Sequence, residues 1–171
     1  MDLDFKQYVP ADFAPESRVW IYQSNRLLGI PEVLEADRIL QDFVGQWVTH
    51  GKANKGFARV FFGQFIVLIA DETSHNVSGC STDASVRVIK HLEDVLKVSF
   101  FDRQLLAFVV KGKVQCIPLN QLGYALEHGF VTPETLYFNN LVQTKQGLLN
   151  NWVVPIKDSW LAARLKLKTT L

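Results

Sequence analysis

Residues 57–71 constrain what this chain can fold into more than any other segment. Two β-rich runs, Phe57–Phe62 and Phe65–Asp71, are separated by Gly63 and Gln64, and a glycine opening a two-residue loop predicts a type II′ hairpin. Side chains alternate across a strand, so Phe57 and Phe61 share one face while Ala58, Val60 and Phe62 share the other. In the second run Ile66, Leu68 and Ala70 oppose Val67 and Ile69. Both faces are apolar, so a sheet built on these strands must be covered on both sides.

The flanking segments predict what covers it. Val33, Ala36, Leu40, Phe43 and Trp47 recur at helical steps between Pro31 and Trp47, with Glu32, Glu35, Arg38 and Asp42 between them. This is an amphipathic helix with proline in its first turn, stopped near Gly51. Val88, Ile89, Leu92, Val95 and Leu96 predict a second helix from about Thr82 to Lys97. Val19–Tyr22 reads as a strand, and Leu105–Val110 and Val114–Ile117 flank Lys111-Gly112-Lys113 as another hairpin.

Through residue 110 the order is strand, helix, strand, strand, helix, strand. That predicts an α+β fold with a ferredoxin-like βαββαβ antiparallel core, an extra hairpin strand, and both helices on one face. The domain reading is one unit over 1–171, with an extended surface arm at 1–16, an α+β core at 17–117 and a helical C-terminal extension at 118–171. In that extension Leu119–Glu127 reads as a helix ended by Gly129. A further helix starts at Thr132-Pro133 and runs to about Val142, and a last short one starts near Asp158. These helices, with the aromatic arm, are expected on the second face.

Composition excludes several classes. At 171 residues and 48% hydrophobic against 20% charged, the chain is outside the range of disordered sequences. A net charge of +1 gives no global field toward nucleic acid or an acidic membrane. No apolar run reaches the ~18 residues of a spanning helix, and Met1–Phe5 carries no signal-peptide pattern. The expected compartment is the cytoplasm, with Cys80 and Cys116 as free thiols.

The predicted topology gathers polar residues at one edge of the sheet. There stand His50 after the first helix, Asp71 and Glu72 after the third strand, Gly79, Cys80, Ser81, Thr82 and Asp83 where the second helix starts, and Arg18 entering the first strand. A cysteine just before a helix feels the positive end of its dipole, which favours thiolate. With His50 as base and Asp71 or Glu72 orienting it, Cys80 would have the constellation of an acyl-transfer nucleophile. Free amides around Gly79–Asp83, with Arg18, would suit an anion. The structural alternative makes Ser81 or Thr82 an N-cap and Cys80 a small buried residue.

Near-matches to known motifs fail on specific residues. Five residues separate Gly45 from Gly51-Lys52 where a P-loop needs four, and Ala53 replaces its Ser or Thr. Six residues lie between Cys80 and Arg87, one too many for a phosphatase loop. Residues 55–62 match the RNP1 motif of RNA-recognition domains except at Arg59, where a base-stacking aromatic belongs. The four histidines lack metal-ligand spacing, and His91 and His128 read as solvated helix residues.

Ser17–Tyr22, Trp47 with His50-Gly51, Asp71-Glu72, Ser78–Ser81 with Asp83 and Ser85, and Asn151-Trp152 with Pro155 and Asp158–Trp160 carry one resemblance. Together they are similar to a bacterial family, found notably in Bacteroidetes, whose members are sometimes labelled ABC-transporter ATPases. The chain carries neither a P-loop nor an ABC signature to go with that label. The resemblance implies a bacterial cytosolic protein and supplies no activity.

The expected function is a non-enzymatic binding or interaction module for a small molecule or protein, with no cofactor, nucleic acid unlikely and self-association possible. The alternatives are a cysteine-dependent hydrolase or acyl transferase using Cys80 and His50, and an RNA-binding domain.

Overall fold

The hairpin of residues 55–71 organises the molecule as its sequence requires. In the computed structural model, which describes residues 1–49, 55–72 and 79–166, β1 (Arg18–Gln23), α1 (Ile30–Thr49), β2 (Lys55–Phe61), β3 (Phe65–Asp71) and α2 (Gly79–Leu96) come first. They are followed by β4 (Leu105–Val110), β5 (Lys113–Pro118), α3 (Leu122–Glu127), β6 (Leu136–Phe138), α4 (Lys145–Asn151), β7 (Val153–Pro155) and α5 (Leu161–Arg164). This is an α+β protein. Among the described residues the strands form two antiparallel sheets, in the orders β1-β3-β2 and β5-β4-β6-β7.

Every residue of β3 is buried, which fits its central place in the first sheet. Burying each of its Val, Leu and Ile side chains contributes roughly 1.5–3 kcal/mol. On one face, Ala58, Val60, Ile66, Leu68 and Ala70 pack under Ala36, Leu40 and Trp47 of α1 and Ala84, Val88, Ile89 and Leu92 of α2. Both helices lie on one face, as expected. The opposite face, with Val19, Phe61, Phe65, Val67 and Ile69, packs on Phe5, Val9, Phe13, Ala107, Phe138, Leu148 and Trp152.

Several expectations are corrected. β4 does not complete a four-stranded ferredoxin-like sheet; it pairs with β5 and β6 instead. The outer edge of β1 is taken by the chain near residue 144, with Val19 N–H donating to the Gln143 carbonyl and Lys145 N–H to that of Ser17, each at 2.9 Å. The N-terminal arm lies on the second face with Phe5, Val9 and Phe13 buried and most of its other residues exposed, and it is not extended throughout, since Lys6–Tyr8 form a 3-10 turn. The extension is not wholly helical either. After one turn at 132–135, Leu136–Phe138 pairs with β7, and Tyr137 also pairs with Phe108 of β4.

The hairpin turns also differ from expectation. Phe62 and Gly63 carry φ of 54° and 62°, and Gln64 N–H donates to the Phe61 carbonyl. Two positive φ values fit type I′, one residue earlier than the expected II′ turn. Lys111 and Gly112, at 50° and 71°, repeat the two positive values in a loop one residue shorter, since Val110 pairs with Lys113 whereas Phe61 pairs with Phe65. No helix among the described residues is long and apolar enough to cross a membrane.

Candidate functional site

The rim where β1 begins and β3 ends brings together most of the polar residues singled out from the sequence. Arg18 opens β1, opposite Ala70 in the ladder, and Lys55 pairs with Asp71. The Arg18 guanidinium reaches the Thr82 hydroxyl at 3.4 Å and lies over the Trp20 ring, 4.8 Å from its centroid. Buried Asp71 accepts from Ala14 N–H at 3.3 Å, tying the arm to the rim. Buried Ser81 donates to one carboxylate oxygen of Glu72, whose second oxygen has no partner. Asp83 is exposed.

His50 lies outside the described residues, as does the side chain of Cys80, so the geometry describes neither of these two groups. α2 begins at Gly79, three residues earlier than expected. Ser81 and Thr82 therefore sit inside the first turns of the helix and are not its N-cap. The Ser81 hydroxyl serves Glu72, and the Thr82 carbonyl accepts from Ser85 Oγ at 2.7 Å. Because Ser85 spends its proton there, the Tyr22 hydroxyl, 2.9 Å away, is the donor to Ser85 Oγ. Burial pushes the Tyr22 phenol above its ordinary range and keeps it neutral. Of the two acids expected to orient an imidazole, Asp71 serves Ala14, while Glu72 serves Ser81 with one oxygen and has no partner for the other.

An aromatic chain leads from this rim to a concavity that sequence reasoning missed. Trp20 packs on Trp47 with centroids 5.7 Å apart, and Trp47 on Phe43 at 4.9 Å. Phe43 and Trp47 belong to a groove of about 440 Å³ between α1 and α2. Its floor is Ile39, Phe43, Trp47, Ala84 and Val88, and its exposed lips are Arg38, Asp42, Gln46, Arg87 and His91. The helical repeat explains the assembly, since residues four apart on each helix line up along one face. Trp47 is 2% exposed, yet its indole N–H has no acceptor.

Arg38 is held upright on its lip by Glu35, at 2.7 Å and 3.1 Å, and by Asp42 at 3.4 Å. Among the described residues no carboxylate pairs with Arg87 across the groove. The sequence marks Arg38, Asp42 and Arg87 only as the polar side of amphipathic helices. No signal in one helix says that the polar side of another will face it.

Cys116, expected as a free thiol, is one. It is half-buried and accepts from the Gln64 amide at 3.0 Å; burial pushes its pKa up. Among the described residues no three His, Cys, Asp or Glu side chains gather as a metal site. On the RNP1-like strand Phe61 is buried and Phe57 packs in the second core, while Arg59 lies over Tyr8, 4.2 Å from its centroid.

No protein-family model, curated protein or solved structure matches the chain.

Proposed function

We propose that this chain is a non-enzymatic binding module of the bacterial cytoplasm that takes a small ligand in the groove between α1 and α2. The observation that carries the reading is the groove itself, a concavity with an apolar floor of Ile39, Phe43, Trp47, Ala84 and Val88 and with Arg38, Asp42, Arg87 and His91 on its lips. The groove volume of about 440 Å³ is in the range of ~300–1,000 Å³ typical of small-molecule sites. Its apolar floor and polar lips also suit a ligand with two kinds of surface.

The rim supports the same reading from the other side. Arg18, Asp71, Ser81 and Thr82 have partners within the fold, so their positions have structural explanations. The rival, a hydrolase or acyl transferase with Cys80 as nucleophile and His50 as base, would take Glu72 as its orienting acid through the carboxylate oxygen that Ser81 does not use, since Asp71 already serves Ala14. RNA binding would need exposed stacking rings on β2, whose Phe61 is in the core. The same proposal treats β1, α1, β2, β3 and α2 as a ferredoxin-like unit whose fourth strand has moved to a second sheet. It also retains the kinship with the Bacteroidetes family.

A fragment screen by ¹H–¹⁵N correlation spectroscopy tests the site. Hits are expected to move the Trp47 indole resonance with the amides of Phe43, Val88 and His91. Hits confined to other surfaces, or none in a chemically broad library, would remove the reading.

A further inference from the structure

We infer that β5 is a self-association edge, along which two copies of this chain pair antiparallel across a two-fold axis and join their second sheets into one. None of the residues concerned lines the groove between α1 and α2.

Alternation along the ladder shows which main-chain groups are free. β5 pairs with β4 on one side only, and the bonds of an antiparallel pair fall on alternate residues. The Lys111-Gly112 loop makes Val110 and Lys113 a bonded pair. At the other end, Leu119 N–H donates to the Gln104 carbonyl at 2.8 Å, which fixes the same alternation. Lys113, Gln115 and Ile117 therefore spend their N–H and C=O groups on β4. Those of Val114 and Cys116 point away from it and have no hydrogen-bond partner among the described residues. The strand is exposed or half-buried along its whole length, so this edge is open.

The other edges are treated differently. β1 is met at its start by residues 143–145. On β2, Gln41 donates to the Ala58 carbonyl at 3.1 Å and Asp37 accepts from Val60 N–H at 3.2 Å. β7 is three residues long and ends in Pro155, which cannot donate. An open row of donors and acceptors is a template for another strand, and β5 carries one.

The residues of β5 fit a second copy in one register. Centred on Gln115, the pairing sets Val114 of each copy opposite Cys116 of the other, so every free N–H and C=O of these residues is bonded. Lys113 then faces Ile117 of the second copy, and no two lysines meet. Centring on Cys116 sets Val114 against Pro118, which has no N–H. Centring on Val114 sets Cys116 against Gly112, whose φ of 71° is not extended. A pairing this short belongs with the weak interfaces, below ~1,200 Å² of buried surface.

Sedimentation velocity of the full chain from ~10 μM to ~1 mM, the span of weak association, tests the edge. A monomer–dimer equilibrium is expected, and Val114→Pro should weaken it by about tenfold or more, because it removes an outward N–H. Proline is tolerated where an edge N–H faces solvent, so the melting temperature should change little. Register is read by cross-linking with oxidised glutathione in a Cys80→Ser background. Gln115→Cys should give a disulfide-linked dimer, since facing residues in a pair without mutual bonds have Cα atoms about 4.5 Å apart, within the reach of a disulfide. Lys113→Cys should not. A chain that stays monomeric across the range, a dimer that Val114→Pro leaves unchanged, or cross-linking through Lys113→Cys in place of Gln115→Cys would overturn the inference.

Discussion

Lys145 offers a sharp test of how the second face of the sheet is closed. It is 7% exposed, and its ammonium donates to the carbonyls of Phe13 at 2.6 Å and Ala11 at 3.1 Å. Its own N–H donates to the Ser17 carbonyl, so one residue ties the arm and the start of β1 to α4. Lys145→Met keeps most of the shape and removes both charge-assisted bonds, each worth roughly 1.5–3 kcal/mol. Two effects offset part of that loss. The substitution ends the burial of an ammonium, and the freed carbonyl of exposed Ala11 is open to water, unlike that of buried Phe13.

A net destabilisation of about 2–4 kcal/mol remains, or roughly 5–15 °C in a domain of this size. Urea unfolding followed by tryptophan fluorescence, with calorimetry alongside, reads it. Limited proteolysis of the variant should cut first within residues 1–16. A change within ~0.5 kcal/mol, the ordinary range for a surface substitution, would show that the lysine does not staple the arm and refute the reasoning.

Other expectations follow from the same geometry. Trp152 is fully buried among Phe5, Phe61, Phe62, Phe65 and Phe138, and its N–H reaches Asn140 at 3.0 Å; Trp152→Ala should cost about 3–5 kcal/mol in urea unfolding. Arg26, aided by Gly29 N–H, holds the Glu32 carboxyl at about 2, below its unfolded value of about 4.3. The contribution is therefore complete above that unfolded value and is lost as pH falls toward 2, and calorimetry across that range should show a flatter acid limb for Glu32→Gln. Ser81→Ala takes the donor from the buried Glu72 carboxylate and should lower stability by about 1–3 kcal/mol in chemical denaturation. In a Cys80→Ser background, Cys116 should react with iodoacetamide only at pH above the ordinary thiol range, because its burial disfavours thiolate.

The helices and hairpins were legible because their signals are local. The stripe from Val33 to Trp47 and the one from Val88 to Leu96 repeat at helical steps, and tertiary packing uses those faces except at Val95, which is 42% exposed. The doubly apolar strands foretold a covered sheet, which is the main architectural fact. What covers it was not legible, since the pattern of Leu105–Val110 suits either sheet and the choice depends on the chain near residue 144 occupying the β1 edge. Thr132-Pro133 looks like a helix start, yet Leu136–Phe138 finds strand partners and the ladder overrides the cap. Phe62 takes a positive φ, which a bulky side chain seldom adopts, so a turn read from the glycine alone falls one residue late.

The rim was legible from topology, because Arg18, Asp71, Glu72, Ser81 and Thr82 do meet. Their partners were not. Ser81 and Thr82 read as caps only if α2 starts at or after them, and it starts at Gly79. The groove depends on how two helices lie side by side, and residues such as Arg87 and His91 carry no mark of it in the order of the chain.

The account rests on the groove between α1 and α2 being the place where a ligand sits. A titration of any small molecule that binds the protein, followed by ¹H–¹⁵N correlations, addresses that directly. The Trp47 indole and the amides of Phe43, Val88 and His91 are expected to move together along one saturable curve. Saturable binding that leaves all four in place would contradict the account.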